Sequence, residues 1–398
     1  MTERTVAFIV QLPVTARDRQ RYCMDALRNR GFTVRVVDLG PLLLPDLPAD
    51  RSHYAAQKDL AIDVVKNWTQ LRDVLAELGH ASAFALCPFV GRSYTARAAM
   101  VLRLMSRQRV PYGLLLTGAS PSAAAENSQR PNLIARVHDL FRTGRLPEML
   151  VMRTRPEVLG IPRATLAVYG GRNSMNGGPL VGLQTRSVLA HSADWDIWQG
   201  ACACPFAGQR DVAVFIDQYL PFHADLVVMR AHPIPPDFYY ASLRRLFDRI
   251  ETEMGLEVVV AAHPRSDYET RAGLFGARRI LKGDTAPLVR ESRLVLTHHS
   301  AATNFAALWM RPVMFLTSHD IRRAAPLIDQ MGRGYAQALN RPQYTLEDVD
   351  TIDLAAIPPA NETDYARFIE EYIKQAGSPH GPLEAILAAA LNDVFQGG

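Results

Sequence analysis

Two short polar clusters each follow an apolar run in the second half of the chain. The sequence HPRS at residues 263–266 comes directly after the apolar run 257–262, and HHS at residues 298–300 comes after the run 293–297. Both runs have the length and composition of buried strands. Because ligands bind at the carboxyl edge of a parallel sheet, we expect both clusters to lie at one binding face.

The first cluster has residue types that suit an anionic ligand. Pro264 disfavours a helical conformation at the residue before it, so His263 is expected to be extended, with its side chain at the binding face. Arg265 is a suitable partner for a phosphate, because a guanidinium can donate two hydrogen bonds to it. The alternative is that His263 only closes the end of a strand in the core.

The second cluster precedes a run with helical spacing, residues 300–310. Ser300 is the expected N-cap of this helix, and Ala301, Ala302 and Thr303 would form its first turn. Small residues there leave backbone N–H groups open to an anion, which is how helix N-termini bind phosphates. The alternative is that Ser300 is a cap without a ligand.

Carboxylates near these clusters are the candidates for chemistry. Asp217 ends the apolar run VAVFI and is followed by Gln218. Its carboxylate could act as a nucleophile or general base, or accept a hydrogen bond from a ribose or a backbone group. Asp194 and Asp196 are further candidates, and they face the same side only if that segment is extended. Glu126 lies near a small polar loop that is either a connector or a substrate loop.

The elements that must position these residues alternate between strand and helix. Residues 5–10 and 33–37 read as strands on either side of a helix at 17–30, which starts a parallel sheet with right-handed crossovers. The first strand is followed by Gln-Leu-Pro and not by a glycine fingerprint, so no dinucleotide is expected on that turn. The alternation restarts at Asp211, so the second half is also predicted to be doubly wound.

Several other segments complete the predicted architecture. An amphipathic helix is expected from about Tyr54 to Leu78, and the glycine-rich stretch 169–178 is either a ligand loop or a hairpin-like turn. Two helices are expected at 361–375 and 382–395. The predicted domains are residues 1–205, residues 206–350, and a carboxyl-terminal pair of helices at 351–398.

Composition excludes several classes of protein. The chain has 398 residues, 48% of them hydrophobic, and a net charge of +4. The sequence has no run of basic residues that could bind along a nucleic-acid backbone, so no nucleic acid partner is expected. Four scattered cysteines predict neither a disulfide framework nor a zinc site, which favours the cytoplasm. No signal peptide or membrane span is predicted, so any membrane association would be peripheral, at the inner face.

Four segments together resemble a known family. The sequences FIDQYLPFHADL, AAHPRS, LTHHSAATNFAAL and RPVMFL are similar to those of bacterial surface-polysaccharide glycosyltransferases of the GT-B type. They look most like the capsule and lipopolysaccharide Kdo transferases and the sialyltransferases with a His-Pro motif, which use CMP-sugars. The segments RGFTVRVVDLGPLLLP and HSADWD also resemble proteins of surface-carbohydrate clusters.

The resemblance implies an α/β protein with two Rossmann-like, doubly wound domains facing a cleft, and carboxyl-terminal helices that pack back on the first domain. The second domain would bind the nucleotide, through His263, Pro264 and Ser300, and the first would bind the acceptor. Asp217 best matches the carboxylate nucleophile of retaining Kdo transferases, followed by Asp196. The Asp/Glu-Asp/Glu-Gly motif of many sialyltransferases is not evident, so the catalytic carboxylate remains open.

We therefore expect a metal-independent glycosyltransferase that transfers Kdo or a related acidic sugar from a CMP donor to a bacterial surface glycan or glycolipid. The nucleotide-sugar is a substrate, and no further cofactor is expected. Alternatives are a UDP-sugar 2-epimerase and a two-lobed binding protein without turnover. The expected catalytic carboxylates are Asp217, Asp196, Asp194 and Glu126. The expected donor-binding residues are His263, Pro264, Arg265, His299, Ser300, Ala301, Thr303 and Gln218.

Overall fold

The computed structural model describes residues 4–45, 47, 50–91, 94–121, 154–175, 178–206, 208–223, 226 and 231–397. The chain divides into two compact units. The first comprises residues 1–119, 127–193 and 374–398, and the second comprises residues 120–126 and 194–373. Residues 194–205 therefore group with the second unit, and the terminal segment 351–398 is divided at residue 373.

Seven parallel strands form the sheet of the first unit. They are β1 (Thr5–Val10), β2 (Thr33–Asp38), β3 (Ala61–Val64), β4 (Phe84–Leu86), β5 (Tyr112–Leu116), β6 (Leu166–Tyr169) and β7 (Arg186–Leu189). Their order across the sheet is β3-β2-β1-β4-β5-β6-β7, and all neighbouring pairs are parallel. The direction of strand addition therefore reverses between β1 and β4.

The helices of the first unit lie on both faces of this sheet. The α-helices are α1 (Ala16–Arg21), α2 (Met24–Asn29), α3 (Gly40–Leu43), α4 (Trp68–His80), α5 (Ala96–Arg107) and the carboxyl-terminal helix (Leu383–Gln396). Short 3₁₀ helices occupy Ser52–Ala56, Pro156–Leu159, Arg172–Met175 and Gly178–Leu180. Alternate residues of β1 explain the two layers, because Phe8 packs in one core cluster and Ile9 in the other.

Of the carboxyl-terminal helices expected to pack back on the first domain, only the last one packs on the first sheet. The helix at Glu362–Phe368 groups with the second unit, where Tyr365 and Phe368 are buried. In the last helix, Leu383, Leu387 and Leu391 are buried in the same core cluster as Val6 and Phe8 of β1. These leucines recur every four residues, which places them on one face of the helix. The end of the chain therefore completes a hydrophobic layer that begins with the first strand.

The helix predicted from about Tyr54 to Leu78 is wrong in its first half and present in its second, at Trp68–His80. Tyr54 lies in a 3₁₀ turn, the chain then forms the edge strand β3, and α4 begins only at Trp68. The Asn67 side chain accepts a hydrogen bond from the Gln70 backbone N–H at 2.9 Å, which caps α4 at that point. The half-buried residues of β3 happen to continue the helical spacing of apolar residues in α4, and this made the helix look longer in the sequence.

A buried carboxylate ends the second strand of this sheet. Asp38 accepts hydrogen bonds from Arg51 Nε at 2.7 Å, Tyr54 Oη at 3.0 Å and Gly40 N at 2.8 Å. Its side chain is fully buried, and these donors satisfy both of its oxygens. Gly40 has no room for a side chain, because a Cβ there would lie 2.1 Å from Arg51 Nη2.

Six parallel strands form the sheet of the second unit. They are β8 (Val212–Ile216), β9 (Glu257–Ala262), β10 (Ile280–Lys282), β11 (Leu294–Thr297), β12 (Val313–Thr317) and β13 (Gln343–Thr345). Their order is β10-β9-β8-β11-β12-β13, and all neighbouring pairs are parallel. The direction of strand addition reverses between β8 and β11.

Helices also cover both faces of the second sheet. The α-helices are α6 (Ala193–Cys202), α7 (Pro236–Met254), α8 (Thr285–Glu291), α9 (Thr303–Leu308), α10 (His319–Ala324), α11 (Pro326–Ala338) and α12 (Glu362–Phe368). A π-helical turn follows at Ile369–Ile373, and 3₁₀ helices occupy Leu220–Phe222, Tyr268–Thr270, Leu346–Thr351 and Leu354–Ala356. Separate buried clusters lie on the two faces, with Phe215 in one and Val214 in the other.

The prediction of two Rossmann-like, doubly wound domains is confirmed by these two sheets. In each, a parallel sheet with the strand order of a doubly wound fold has hydrophobic cores on both faces. Within the described residues, no helix combines the length and the apolar composition needed to cross a bilayer.

Candidate functional site

The carboxyl ends of three neighbouring strands bring the sequence-predicted residues of the second unit together. Asp217 and Gln218 follow β8, His263 follows β9, and His299 follows β11. Since β9, β8 and β11 are adjacent, these four residues lie along one edge of the sheet. We call these four residues the site edge. It includes the point where the strand order reverses, which is where open α/β sheets bind ligands.

Gln218 and His299 connect the two strands at this reversal. The backbone N–H of His299 donates to Gln218 Oε1 at 2.8 Å, and Gln218 Nε2 lies 2.8 Å from His299 Nδ1. Because the backbone N–H must donate, the amide oxygen faces it and the amide nitrogen donates to Nδ1. The proton of a neutral His299 ring is then on Nε2.

The surroundings of His299 favour this neutral form. Burial, together with the charges that His298 and His223 would carry, lowers the pKa of His299 to about 3. An imidazole in this state can donate a hydrogen bond from Nε2 without adding a full positive charge. Among the described residues, Gln218 is the only hydrogen-bond partner of the His299 ring.

Asp217 is the buried acceptor of the site edge. Only 3% of the residue is exposed to solvent. One oxygen accepts from Tyr219 N at 2.9 Å, and the other accepts from Tyr268 Oη at 2.8 Å and from His263 N at 3.3 Å. Burial raises the pKa of Asp217 to about 6, and these hydrogen bonds oppose that rise. The carboxylate thus connects the ends of β8 and β9.

His263 is half-buried, whereas Pro264 and Arg265 are exposed. The backbone N–H of Arg265 donates to His263 Nδ1 at 3.2 Å, and the Ser266 hydroxyl donates to the His263 carbonyl at 2.8 Å. The turn after β9 is therefore closed by its own hydrogen bonds. It leaves the Arg265 side chain on the surface of the unit.

His223 is a neighbour of His263 that the sequence did not single out. The two Nε2 atoms lie 3.3 Å apart, and the ring centroids lie 4.6 Å apart at an interplanar angle of 77°. His223 follows the 3₁₀ turn Leu220–Phe222, at the end of the segment FIDQYLPFHADL. The only available signal was a histidine five residues after Gln218, on the loop that follows β8.

His298 has a structural role that distinguishes it from the histidine beside it. It is buried, its Nδ1 donates to the Leu316 carbonyl at 2.9 Å, and its Nε2 lies 2.9 Å from Tyr239 Oη. Burial lowers its pKa to about 4. The neutral ring therefore accepts from the tyrosine and joins β11 to β12 and α7.

The predicted N-cap role of Ser300 is wrong. Helix α9 begins at Thr303, and its N-cap is Ala302, without a side-chain hydrogen bond. The Ser300 hydroxyl instead accepts from Ala302 N at 3.2 Å, within a tight turn in which Thr303 N bonds to the Ser300 carbonyl. Ala301 is exposed on this turn. The N–H groups of this turn, which the prediction had left open for an anion, therefore donate to Ser300 and Ala301 instead.

Asp194 and Asp196 lie in the first turn of α6, so the extended segment that would place both on one side is not present. Asp194 Oδ2 accepts a hydrogen bond from Asn304 Nδ2 at 2.8 Å, which ties α6 to α9. Within the described part of the chain, Asn304 Oδ1 and the neighbouring Thr303 Oγ1 are buried without a hydrogen-bond partner.

Glu126 lies outside the described residues. Among those that are described, no group of three or more His, Cys, Asp or Glu side chains is arranged to bind a metal ion. The site edge therefore offers imidazole and amide donors beside a buried carboxylate. Such donors suit a ligand that accepts hydrogen bonds, such as a phosphate or a nucleobase.

No protein-family model and no curated protein sequence matches the chain. Similarity is found among solved structures. The spinosyn rhamnosyltransferase SpnG is 15% identical, with 98% of this chain and 99% of that chain covered at a TM-score of 0.52. MnaA of S. aureus, in a structure with UDP, is 14% identical. The match covers 99% of this chain and 97% of that chain at a TM-score of 0.51.

A variant of the wall teichoic acid polymerase TagF soaked with CDPG is 10% identical, with 99% of this chain and 89% of that chain covered at a TM-score of 0.50. These identities are low, and the likeness spans nearly all of this chain. The comparisons therefore show a shared fold of two Rossmann-like domains.

Proposed function

We propose that the chain is a glycosyltransferase whose nucleotide-sugar donor binds at the site edge. The observation that carries the proposal is the Gln218–His299 pair, which joins β8 and β11 where the strand order reverses. This is the position at which doubly wound sheets bind nucleotides. The fold supports the proposal, because a rhamnosyltransferase is among the proteins that share it.

For the donor, we propose a CMP-linked acidic sugar such as Kdo. The support is the resemblance of the sequences HPRS and HHS to the His-Pro and Ser motifs of CMP-sugar enzymes. His263 would contact the phosphate, and Arg265 would reach the phosphate or the sugar carboxylate. The acceptor would be a bacterial surface glycan or glycolipid, and any contact with the cytoplasmic face of a membrane would be peripheral.

We propose that leaving-group charge is stabilised by hydrogen-bond donors of the protein. The Nε2–H of His299 is preorganised for this role, because Gln218 holds the ring through Nδ1. No metal takes part in this scheme. Turnover should then be unchanged when EDTA is added, and a loss of activity that magnesium or manganese restores would contradict the scheme.

Asp217 is our candidate for the carboxylate on which turnover depends. Its burial and its hydrogen bond from His263 N favour positioning of the β9 turn over direct attack on the sugar. We predict that Asp217→Asn abolishes turnover and also weakens nucleotide binding, because an amide cannot accept from all of these donors. If binding were unchanged while turnover was lost, a direct catalytic role would be favoured. Full activity would move the role to Asp194 or Asp196.

The decisive experiment is thermal stabilisation by CMP, UDP and GDP, each tested with the purified chain. We expect CMP to raise the melting temperature most. A second assay should then detect transfer of the sugar from a CMP-sugar to an added acceptor. A response to none of the nucleotides would contradict a nucleotide-sugar enzyme and favour a binding protein without turnover.

A UDP-sugar 2-epimerase is the second candidate. The specific observation in its favour is that UDP is present in the structure of MnaA, which shares the fold. Preference for UDP, together with interconversion of a UDP-sugar without an acceptor, would support this candidate. Release of free nucleotide only when an acceptor is present would favour the transferase.

A further inference from the structure

Three segments of the first unit lead into neighbouring strands of its sheet. Residues 96–110 contain α5 and precede β5, residues 154–163 precede β6, and residues 178–185 precede β7. We propose that the outer side of these segments, which we call the basic face, binds the headgroups of anionic phospholipids. The inference goes beyond the donor chemistry proposed above, and it rests on the described residues of the first unit alone.

The three segments form one continuous surface. Strands β5, β6 and β7 are adjacent and parallel, so the segments that enter them lie side by side at the amino edge of the sheet. A Cβ built on Gly160 would lie 3.6 Å from Arg103 Nε, which places the second segment against α5. Arg163 donates to the Pro179 carbonyl, which joins the second segment to the third. The exposed residues therefore lie on the outer side of a single layer, whose buried residues share one core cluster that includes Leu102, Ile161 and Leu180.

One side of α5 forms the centre of the basic face. Met100, Arg103 and Arg107 are exposed, at spacings of three and four residues that place them on one side of the helix. Leu102 and Met105 are buried on the other side, against the sheet. The helix therefore presents two guanidinium groups and a thioether side chain to solvent.

The charge of the three segments is strongly positive. They contain six arginines and one acidic residue, Glu157, whereas the whole chain contains 44 Lys and Arg residues and 40 Asp and Glu residues. Glu157 accepts a hydrogen bond from Arg163 within its own segment. Among the described residues, neither Arg103 nor Arg107 forms a salt bridge. A surface with this charge attracts the negative surface of an anionic bilayer.

Apolar side chains protrude beside these arginines. Met100 is 53% exposed, Val158 is 76% exposed and Leu183 is fully exposed, and each lies in a different one of the three segments. No other large apolar side chain among the described residues is exposed to this degree. Aliphatic side chains can enter the acyl layer below the headgroups that arginines bind. A nucleic acid offers phosphates but no apolar layer, so the combination favours a bilayer.

The test is co-sedimentation of the full chain with lipid vesicles, without nucleotide. We expect binding to phosphatidylcholine vesicles that contain about 30% phosphatidylglycerol, and far weaker binding to phosphatidylcholine alone, because only the first are negatively charged. Raising sodium chloride from about 0.1 M to about 0.5 M should weaken this binding, since salt screens the attraction. A chain that does not bind the anionic vesicles at the lower salt concentration would overturn the proposal.

Arginine substitutions test whether the basic face, and not the positive charge of the whole chain, binds the vesicles. Arg103→Gln should weaken binding by about fivefold, which is the contribution of one cation near an anionic surface. Arg17→Gln is the matched control, because Arg17 is also an exposed helical arginine but lies in α1, outside the three segments. Circular dichroism checks the fold of both variants. Equal losses in the two variants would contradict the assignment of this surface.

The apolar part of the face is tested with Leu183→Ser. This variant should bind anionic vesicles about 3- to 10-fold more weakly, because it loses apolar surface that would be buried in the bilayer. Leu327→Ser, which changes a 48% exposed leucine of the second unit, should have little effect. A fluorescent DNA duplex is the alternative ligand. If the duplex binds as tightly as the anionic vesicles and Leu183→Ser weakens neither, the surface is a nucleic-acid site and the lipid proposal is wrong.

These measurements contain no nucleotide, so their outcome is separate from that of the donor proposal. Binding to anionic vesicles without a thermal response to CMP would support the basic face and contradict the proposed donor. A response to CMP without binding to the vesicles would do the reverse.

Discussion

Each histidine near the site edge has partners that assign it a different task. His298 is buried between Leu316 and Tyr239, and both of its nitrogens are used within the fold. His299 is held through Nδ1 by Gln218, which leaves Nε2 as a donor. His263 is held through its backbone by Asp217 and through its ring by His223. Partners that can accept or donate determine which imidazole is available to a ligand.

We predict that His263→Ala removes the contact to the donor phosphate while the fold is retained. A hydrogen bond to a charged group is worth about 1.5–3 kcal/mol, so nucleotide affinity should fall by roughly 10- to 100-fold. Calorimetric titration with CMP measures this, and circular dichroism checks the fold. His232→Ala is the control for removal of a histidine from the same unit, and normal affinity in His263→Ala would exclude this contact.

We predict that His298 makes the protein sensitive to acid. Its pKa is lowered from 6.5 to about 4, so between these values the unfolded state binds more protons. Stability is therefore present above pH 6.5 and is lost as the pH falls towards 4, by up to about 3 kcal/mol. The raised pKa of Asp217 has the opposite effect in the same range.

The contribution of His298 is isolated by comparing the wild type with His298→Gln in urea unfolding from pH 4 to pH 7. The glutamine amide can replace both hydrogen bonds and does not titrate. The difference between the two stabilities should therefore change with pH over this range. His319→Gln removes a side chain that is 71% exposed and should follow the wild type. A difference that does not depend on pH would contradict a depressed pKa at His298.

At the scale of elements, close backbone approach shapes the loop after β11. Helix α11 passes so near this loop that a Cβ on Gly332 would lie 2.7 Å from the His298 carbonyl oxygen and 3.1 Å from Gln343 Nε2. A carbonyl oxygen in a buried strand end cannot move aside easily. The glycine thus allows α11 to support the backbone that presents His299.

We predict that Gly332→Ala destabilises the protein by about 1–3 kcal/mol, because the added methyl group forces the helix away from the loop. Gly200→Ala is the matched control: it lies in α6, and an added Cβ would have no neighbour within 4 Å. That substitution should stabilise by about 0.5–1 kcal/mol through helix propensity alone. Equal effects of the two substitutions in urea unfolding would show that the contact at Gly332 is relaxed.

The strands that position the site could be predicted from their apolar runs, and so could the polar residues at their ends. What the sequence could not separate was His298 from His299. Consecutive residues after a strand point in opposite directions, and which direction is buried depends on Tyr239 in a distant helix. The partnership of His223 and His263 depends on two loops 40 residues apart, so no local pattern indicates it.

Helix starts were the least predictable elements, for a physical reason. Ser300 has a side chain that suits an N-cap, yet the same hydroxyl can close a tight turn two residues earlier than the helix. In the segment before Trp68, the predicted helix began too early, because helical spacing of apolar residues continued backwards from the helix into the edge strand β3. Local preferences allow both outcomes, and tertiary packing selects one.

At the scale of the whole molecule, two sheets with separate hydrophobic cores predict two cooperative units. We expect two transitions in calorimetry, and a bound nucleotide should shift only the one that belongs to the second unit. Leu387→Ala removes a buried side chain from the first unit and should lower the other transition, at a cost of about 2–5 kcal/mol.

Leu327→Ala is the control for the loss of a leucine, because that side chain is 48% exposed in the second unit. It should leave both transitions nearly unchanged. A single transition that responds both to nucleotide and to Leu387→Ala would show that the units unfold together. The pattern of shifts thus identifies which unit contains the nucleotide site.

The hydrogen bonds of the buried Asp38 limit what the first sheet can bind at this strand end. In dinucleotide-binding domains, an acidic residue that follows the motif in the sequence hydrogen-bonds a ribose hydroxyl. Here Arg51, Tyr54 and the Gly40 amide already satisfy that carboxylate. These donors occupy the positions that ribose hydroxyls would take. To make this unit bind a dinucleotide, a designer would first have to replace Arg51, and only then add a glycine-rich loop.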